Sequence, residues 1–251
     1  MAHGRRLATR PLGSMEARAY RFSEHVISIS PSTADSLVKD YGVARERISV
    51  IPVGVDTEWL RPADPGSERD TLLFVGRLVP IKGVQQFISL FRDLRDEFPA
   101  LRAEICGEGP LYQAAQASAA SLDGRMEVRG RVSEQELVEA YRRARILVVP
   151  STFEGLGLVA LEALASGTPV IATDVLGLAD LRGGGVVLVP PDKPAALAEA
   201  VRSILNQPGR WEQLAGEARE TAIQRYSWDT VRPQIAEVYR SVLGSKDSQV
   251  A

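Results

Sequence analysis

From Thr71 onward the chain alternates short apolar runs with longer amphipathic stretches, and this alternation restricts it to one class of fold. Leu72, Phe74 and Val75, then Leu101 to Cys106, Met126 to Val128, Ile146 to Val149, Pro169 to Thr173 and Val186 to Val189 read as strands covered on both faces. Helical spacing fills 83–97, 110–121 and 133–144, a stretch of about ten residues between the strands that end at Val149 and begin at Pro169, and Lys193 to Leu205, where Pro194 sits in the first turn. Strands separated by helices are joined as parallel neighbours by right-handed crossovers. The expected fold is therefore α/β, a Rossmann-like doubly wound parallel sheet. Two helices close the chain: 209–225, and a second capped by Ser227 that runs to Leu243 with a kink at Pro233. Gly244 to Ala251 is expected to fray.

The first part of the chain is built differently. A helix over 11–22 precedes a strand from His25 to Ser30, then a helix capped by Ser30 with Pro31 in its first turn and stopped at Gly42, then a strand from Ile48 to Pro52. His25 in such a strand reads as a solvated or structural imidazole rather than a catalytic base. Asp56 to Asp70, with Pro62, Pro65 and Gly66, reads as a linker. The expected division is 1–60, 61–226 and 227–251.

Composition excludes several classes of function. Lys+Arg 30 against Asp+Glu 32 gives a net charge of -2, which offers no electrostatic footprint for nucleic acid. The single cysteine, Cys106, rules out an internal disulfide framework and fits a reducing, cytoplasmic compartment. No apolar run approaches the roughly 18 residues of a membrane span, which leaves peripheral membrane contact open. The opening MAHGRRLATRPLGS is basic and free of acids, in the manner of a transit peptide or a cloning remnant.

In an open α/β sheet, ligands gather outside the carboxyl ends of the strands, so the residues after each strand carry the functional reading. Gly76-Arg77-Leu78-Val79-Pro80-Ile81-Lys82-Gly83 follows the first, with a glycine for a tight turn and two cations spaced to converge on one anion. Gly107-Glu108-Gly109 and Gly130-Arg131-Val132 follow the next two, and both suit a flat ring lying against backbone. Pro150 to Asp174 is the densest unit. Gly155 and Gly157 allow close approach, and the amides of Gly155, Leu156, Gly157 and Leu158 fall at a helix start that favours an anion. Glu154 faces the mouth of the sheet, and Glu162, eight positions on, offers oxygens suited to a pair of vicinal hydroxyls. Phosphate and sugar hydroxyls together suggest a sugar nucleotide.

The phrase FEGLGLVALEALASGTPVIATD resembles the donor-site signature of family 4 glycosyltransferases, retaining enzymes of the GT-B fold. The resemblance extends from about Glu16 to Leu243 and includes Ile51-Pro52-Val53-Gly54-Val55-Asp56, where Val53 replaces a common Asn. It departs at Val175 to Asp180, where Leu176 and Asp180 stand in place of a paired glycine and a Glu. It implies that Arg77 and Lys82 hold the donor diphosphate and stabilise the leaving group, that Glu154 orients the sugar and Glu162 the ribose, and that Gly107, Gly109, Arg131 and Val132 surround the base. Gly76 and Gly155 to Leu158 complete the donor contacts. No Asp-x-Asp occurs in the chain, which together with the cationic loop favours a site without a metal or other cofactor.

The resemblance chiefly concerns the second, donor-binding half of such an enzyme, with the residues before Asp56 similar to the end of a first half. The leading expectation is the donor half of a hexosyltransferase using a UDP-, GDP- or ADP-sugar, with the acceptor half on a separate polypeptide or lost from the sequence. In the family the last helix packs on the first domain, so Val231, Ile235, Val238, Tyr239 and Val242 are expected to lack cover. The alternatives are a non-catalytic sugar-nucleotide-binding module and a sugar-nucleotide epimerase of the same fold class.

Overall fold

The computed structural model describes residues 10–247, so the opening residues up to 9 and the expected fraying at 248–251 lie outside the described residues. The chain divides into two compact units, Met1–Pro52 with Pro233–Ala251, and Val53–Arg232.

In the first unit α1 (Arg10–Phe22) leads into β1 (Val26–Ser28), α2 (Pro31–Tyr41) and β2 (Ile48–Val50). The two strands pair in parallel with Val26 against Ile48, as a strand-helix-strand unit requires. Ser30 caps α2 by accepting from the Thr33 amide at 3.2 Å, and Pro31 supplies the pre-set first turn. Ala34, Leu37, Val43 and Ile48 form its core. His25 Nε2 meets Ser49 Oγ at 2.9 Å, the structural one of the two roles expected of it.

The second unit holds the functional face. Its strands are β3 (Thr71–Val75), β4 (Arg102–Cys106), β5 (Met126–Gly130), β6 (Ala144–Val149), β7 (Val170–Thr173) and β8 (Val186–Val189). They form one parallel sheet in the order β5-β4-β3-β6-β7-β8. Its helices are α3 (Val84–Leu94), α4 (Tyr112–Ala120), α5 (Glu134–Arg143), α6 (Leu158–Ala165), α7 (Pro194–Asn206) and α8 (Arg210–Thr221), and α9 (Trp228–Asp247) starts in it. Three of these helices show how the sequence builds them. Val84, Phe87, Ile88, Phe91 and Leu94 make one buried stripe on α3. Ser133 and Glu136 form a reciprocal capping box that starts α5. α6, apolar nearly all round, has Ala160, Leu161, Ala163, Leu164 and Ala165 buried.

Several expectations need correction. α6 has eight residues rather than ten because Gly157 sits before its first turn as the N-cap. β6 begins at Ala144, taking the end of the helix expected over 133–144 into the sheet beside Thr71. The segment from Asp56 to Asp70 is not a loose linker. Asp56 Oδ1 accepts from the Glu58 and Trp59 amides, and Arg219 Nη1 donates to the carbonyls of Thr57, Leu60 and Ala165. After α8, Ala222–Tyr226 forms a wider π turn. α9 continues through Pro233 to Asp247, past the expected end at Leu243. On that helix Val231 is buried, Ile235, Val238 and Val242 are half-buried, and Tyr239 is 63% exposed.

Candidate active site

The chain leaves β3 toward β4 and leaves β6 toward β7, on opposite sides, so a crevice opens where these two central strands end. Two cavities meet there. One, of about 180 Å³, is lined by Lys82, Ser151, Glu154, Leu156, Gly157 and Leu158. The other, of about 480 Å³, is lined by Arg77, Cys106, Gly107, Gly109, Arg131 and Val132. Val75 and Gly76, at the end of β3, line both. The larger cavity alone falls within the roughly 300–1,000 Å³ of ordinary small-molecule sites.

Lys82 reaches the smaller cavity from a short 3-10 turn, Pro80–Lys82, that ends at Gly83. At Gly83 φ is +77°, and a Cβ would lie 2.2 Å from the Pro150 carbonyl oxygen, so only glycine lets this turn rest on the end of β6. The Thr152 amide donates to the Ile81 carbonyl at 2.9 Å and knits the same two loops. Lys82 Nζ then stands 2.6 Å from Glu154 Oε2, with both side chains largely buried. Glu154 Oε1 accepts from the Gly155 amide at 3.2 Å, which turns that amide onto the protein's own carboxylate. Arg77 is exposed and lines the neighbouring cavity, so the two cations flank Gly76 rather than converging within one cavity. After β7, the buried side chain of Leu178 packs against Gly157, while Leu176 is exposed.

Three loops enclose the larger cavity. The Gly76 amide donates to the Cys106 carbonyl, the Gly107 amide to the Gly130 carbonyl and the Leu78 amide to the Glu108 carbonyl, at 2.8–3.0 Å. Beneath them lies a buried carboxylate. Glu104 accepts from Arg129 Nη1 at 3.0 Å and from Arg143 Nη2 at 3.1 Å, and Arg129 Nη2 donates to Glu136 at 2.7 Å. The loop 130–132 is thus held from the strand before it and the helix after it. Cys106 donates to Glu104 Oε1 at 3.4 Å. Burial first, and the Glu104 carboxylate second, push its thiol up to about 12, so it stays protonated and inert near neutral pH.

Glu162 lies outside the lining of both cavities, one turn along α6 from Leu158 and Val159. Its Oε2 accepts from the Tyr141 hydroxyl at 2.7 Å. Burial raises the Glu162 carboxyl above its ordinary value, and the Tyr141 bond pulls it back down. Gly155 is exposed and also lies outside both linings. The other expected site residues line one cavity or both.

Residues 56–222 match the family described as glycosyl transferases group 1, and residues 1–59 match glycosyltransferase family 4. The chain belongs to the group 1 glycosyl transferases. Among curated relatives, a D-inositol 3-phosphate glycosyltransferase of Streptomyces bingchenggensis is 34% identical over 88% of this chain and 53% of its own length. A glycogen synthase of Mycobacterium tuberculosis is 33% identical over 92% of this chain and 57% of its own. The chain thus spans a little over half the length of these relatives. Among solved structures, sucrose-phosphate synthase from Thermosynechococcus elongatus superposes with a TM-score of 0.81 at 26% identity, over 98% of this chain and 65% of that one. Anabaena HepE in complex with UDP-glucose superposes at 0.80 and 22% identity, over 93% of this chain and 68% of that one, a likeness of fold. The expected Rossmann-like half of the GT-B architecture is borne out.

Sequence reasoning missed Glu104 and Tyr141. Glu104 sits in an apolar run and offers no pattern of its own. Tyr141 lies in step with Val138 on the buried face of α5 and reads as core. Its partner is 21 residues away and on another helix.

Proposed function

We propose that this protein binds the donor of a retaining, metal-independent glycosyltransferase, which passes a hexose from a nucleoside-diphosphate sugar to an acceptor held by residues outside 53–232. The observation that carries this reading is the pair of cavities meeting at Gly76, with Lys82 on one side and Arg77 on the other. A diphosphate laid across Gly76 puts the sugar beside Glu154 and the base against the Gly107, Gly109 and Arg131–Val132 loops. The chemistry then asked of the protein is electrostatic. As the glycosidic bond breaks, negative charge grows on the diphosphate, and the largely buried Lys82, the exposed Arg77 and the amides at the start of α6 stabilise it. Lys82 serves the phosphates from beside Glu154, which holds its ammonium in place. The relatives support transfer chemistry by what they are called, and the group 1 match over residues 56–222 spans the part of the chain that holds Arg77, Lys82, Glu154 and Glu162.

Calorimetric titration with UDP, GDP and ADP, each with and without magnesium, tests the reading. Binding of one base, unchanged by magnesium, is expected. A folded chain that binds none of the three, or binds only with magnesium, contradicts it. Binding with no transfer in the presence of every acceptor-side polypeptide tried would favour a non-catalytic module, and epimerisation of the bound sugar would favour the third alternative.

A further inference from the structure

Tyr141 is wholly buried on α5, where a phenylalanine would fill nearly the same volume and carry no polar group. A buried phenol is costly unless its hydroxyl finds a partner. The partner here is the Glu162 carboxylate, at 2.7 Å across two helices. Among the described residues, Tyr141 is the one side chain that donates to that carboxylate. The pair lies beside the place where the two cavities meet: Val159, one turn before Glu162, lines the smaller cavity, while Leu137, one turn before Tyr141, and Cys106 line the larger. α5 is further fixed at its carbonyl side, where Thr168 Oγ1 donates to the Tyr141 carbonyl at 2.8 Å.

A free glutamate on a helix samples several rotamers, and a ligand that needs one of them bears the entropy of choosing it. A short hydrogen bond from a rigid, buried phenol removes that freedom beforehand. It also occupies one carboxylate oxygen, which leaves Oε1 as the acceptor. We infer that Tyr141 is a positioning residue for the ribose end of the site, its hydroxyl locking Glu162 so that the second carboxylate oxygen accepts from a ribose hydroxyl. This rests on the donor-site reading above. The direction of the Glu162 shift agrees: burial raises it and the Tyr141 bond opposes the rise, so the phenol also helps keep the group ionised and able to accept.

The test compares wild type, Tyr141→Phe, Glu162→Ala and the double variant. Each is titrated with the nucleoside diphosphate that wild type binds, with its 2′,3′-dideoxy counterpart and with pyrophosphate. Tyr141→Phe is expected to weaken the ribonucleotide about tenfold, the scale of one hydrogen bond to a charged group. The dideoxy nucleotide and pyrophosphate are expected to change little. In the Glu162→Ala background the same substitution should have no further effect on ribose selectivity. With the phenol gone the Glu162 carboxyl rises further, so the loss of ribonucleotide affinity on acidification should begin at higher pH than in wild type. Equal weakening of all three ligands, or an undiminished effect without Glu162, overturns the inference and leaves Tyr141 a packing residue. If wild type binds no nucleotide the donor-site reading fails and the inference falls with it. If wild type binds and Tyr141→Phe keeps full ribose selectivity, the inference alone fails.

Discussion

Replacing Lys82 by Ala is expected to weaken nucleoside-diphosphate binding by about 100-fold, near the top of the range for a hydrogen bond between charged groups. Two effects add. The ammonium that would meet the phosphates is lost, and Glu154, which Lys82 holds at 2.6 Å, is left as an unpaired, largely buried carboxylate beside the same phosphates. The second effect has its own signature. Removing Glu154 as well should recover part of the affinity, because the repelling charge goes with it. Arg77→Ala should cost less, since Arg77 is exposed and its charge acts through better-screened surroundings. Calorimetry on the three variants checks all of this. A double variant no better than Lys82→Ala would mean that Glu154 does not face the phosphates.

Gly107→Ala is expected to be the most damaging small substitution at the site. Its φ is +146°, and a Cβ there would lie 1.9 Å from the Gly76 carbonyl oxygen, a backbone atom that cannot swing aside. The loops after β3 and β4 would have to separate, breaking the bonds that join Gly76 to Cys106 and Gly107 to Gly130. A cost of about 3 kcal/mol is the expected order for backbone strain combined with lost hydrogen bonds. For a chain of this size that lowers the melting temperature by about 6–12 °C. The base-side cavity should open with it and nucleotide affinity should fall. Gly155→Ala is the matched control, since a Cβ there meets open space, and it should melt with wild type. Thermal unfolding of the two variants side by side checks the contrast.

The sheet was legible because a strand buried on both faces must be apolar at nearly every position, and few other structures share that signature. β4, β5, β7 and β8 begin within a residue of where their apolar runs begin. The functional loops were legible for a related reason, since a doubly wound sheet gathers ligands at one edge and the residues immediately after each strand are the ones placed there. The features that escaped depend on partners distant in the chain. Asp56 to Asp70 has the prolines and glycine of a linker, yet Arg219, 162 residues from Thr57, ties it down. Glu104 takes its two arginines from 25 and 39 residues away. No local pattern encodes such pairs. The Lys82–Glu154 pair is of the same kind: both residues stood out separately, and only the fold shows that they meet.

The most direct measurement is a crystal structure of the chain with a bound nucleoside diphosphate. The account predicts the diphosphate across Gly76 between Arg77 and Lys82, the base against Arg131 and Val132, and a ribose hydroxyl on the Glu162 oxygen that Tyr141 leaves open. A nucleotide bound elsewhere, or one at this edge with its phosphates away from both cations, would contradict it.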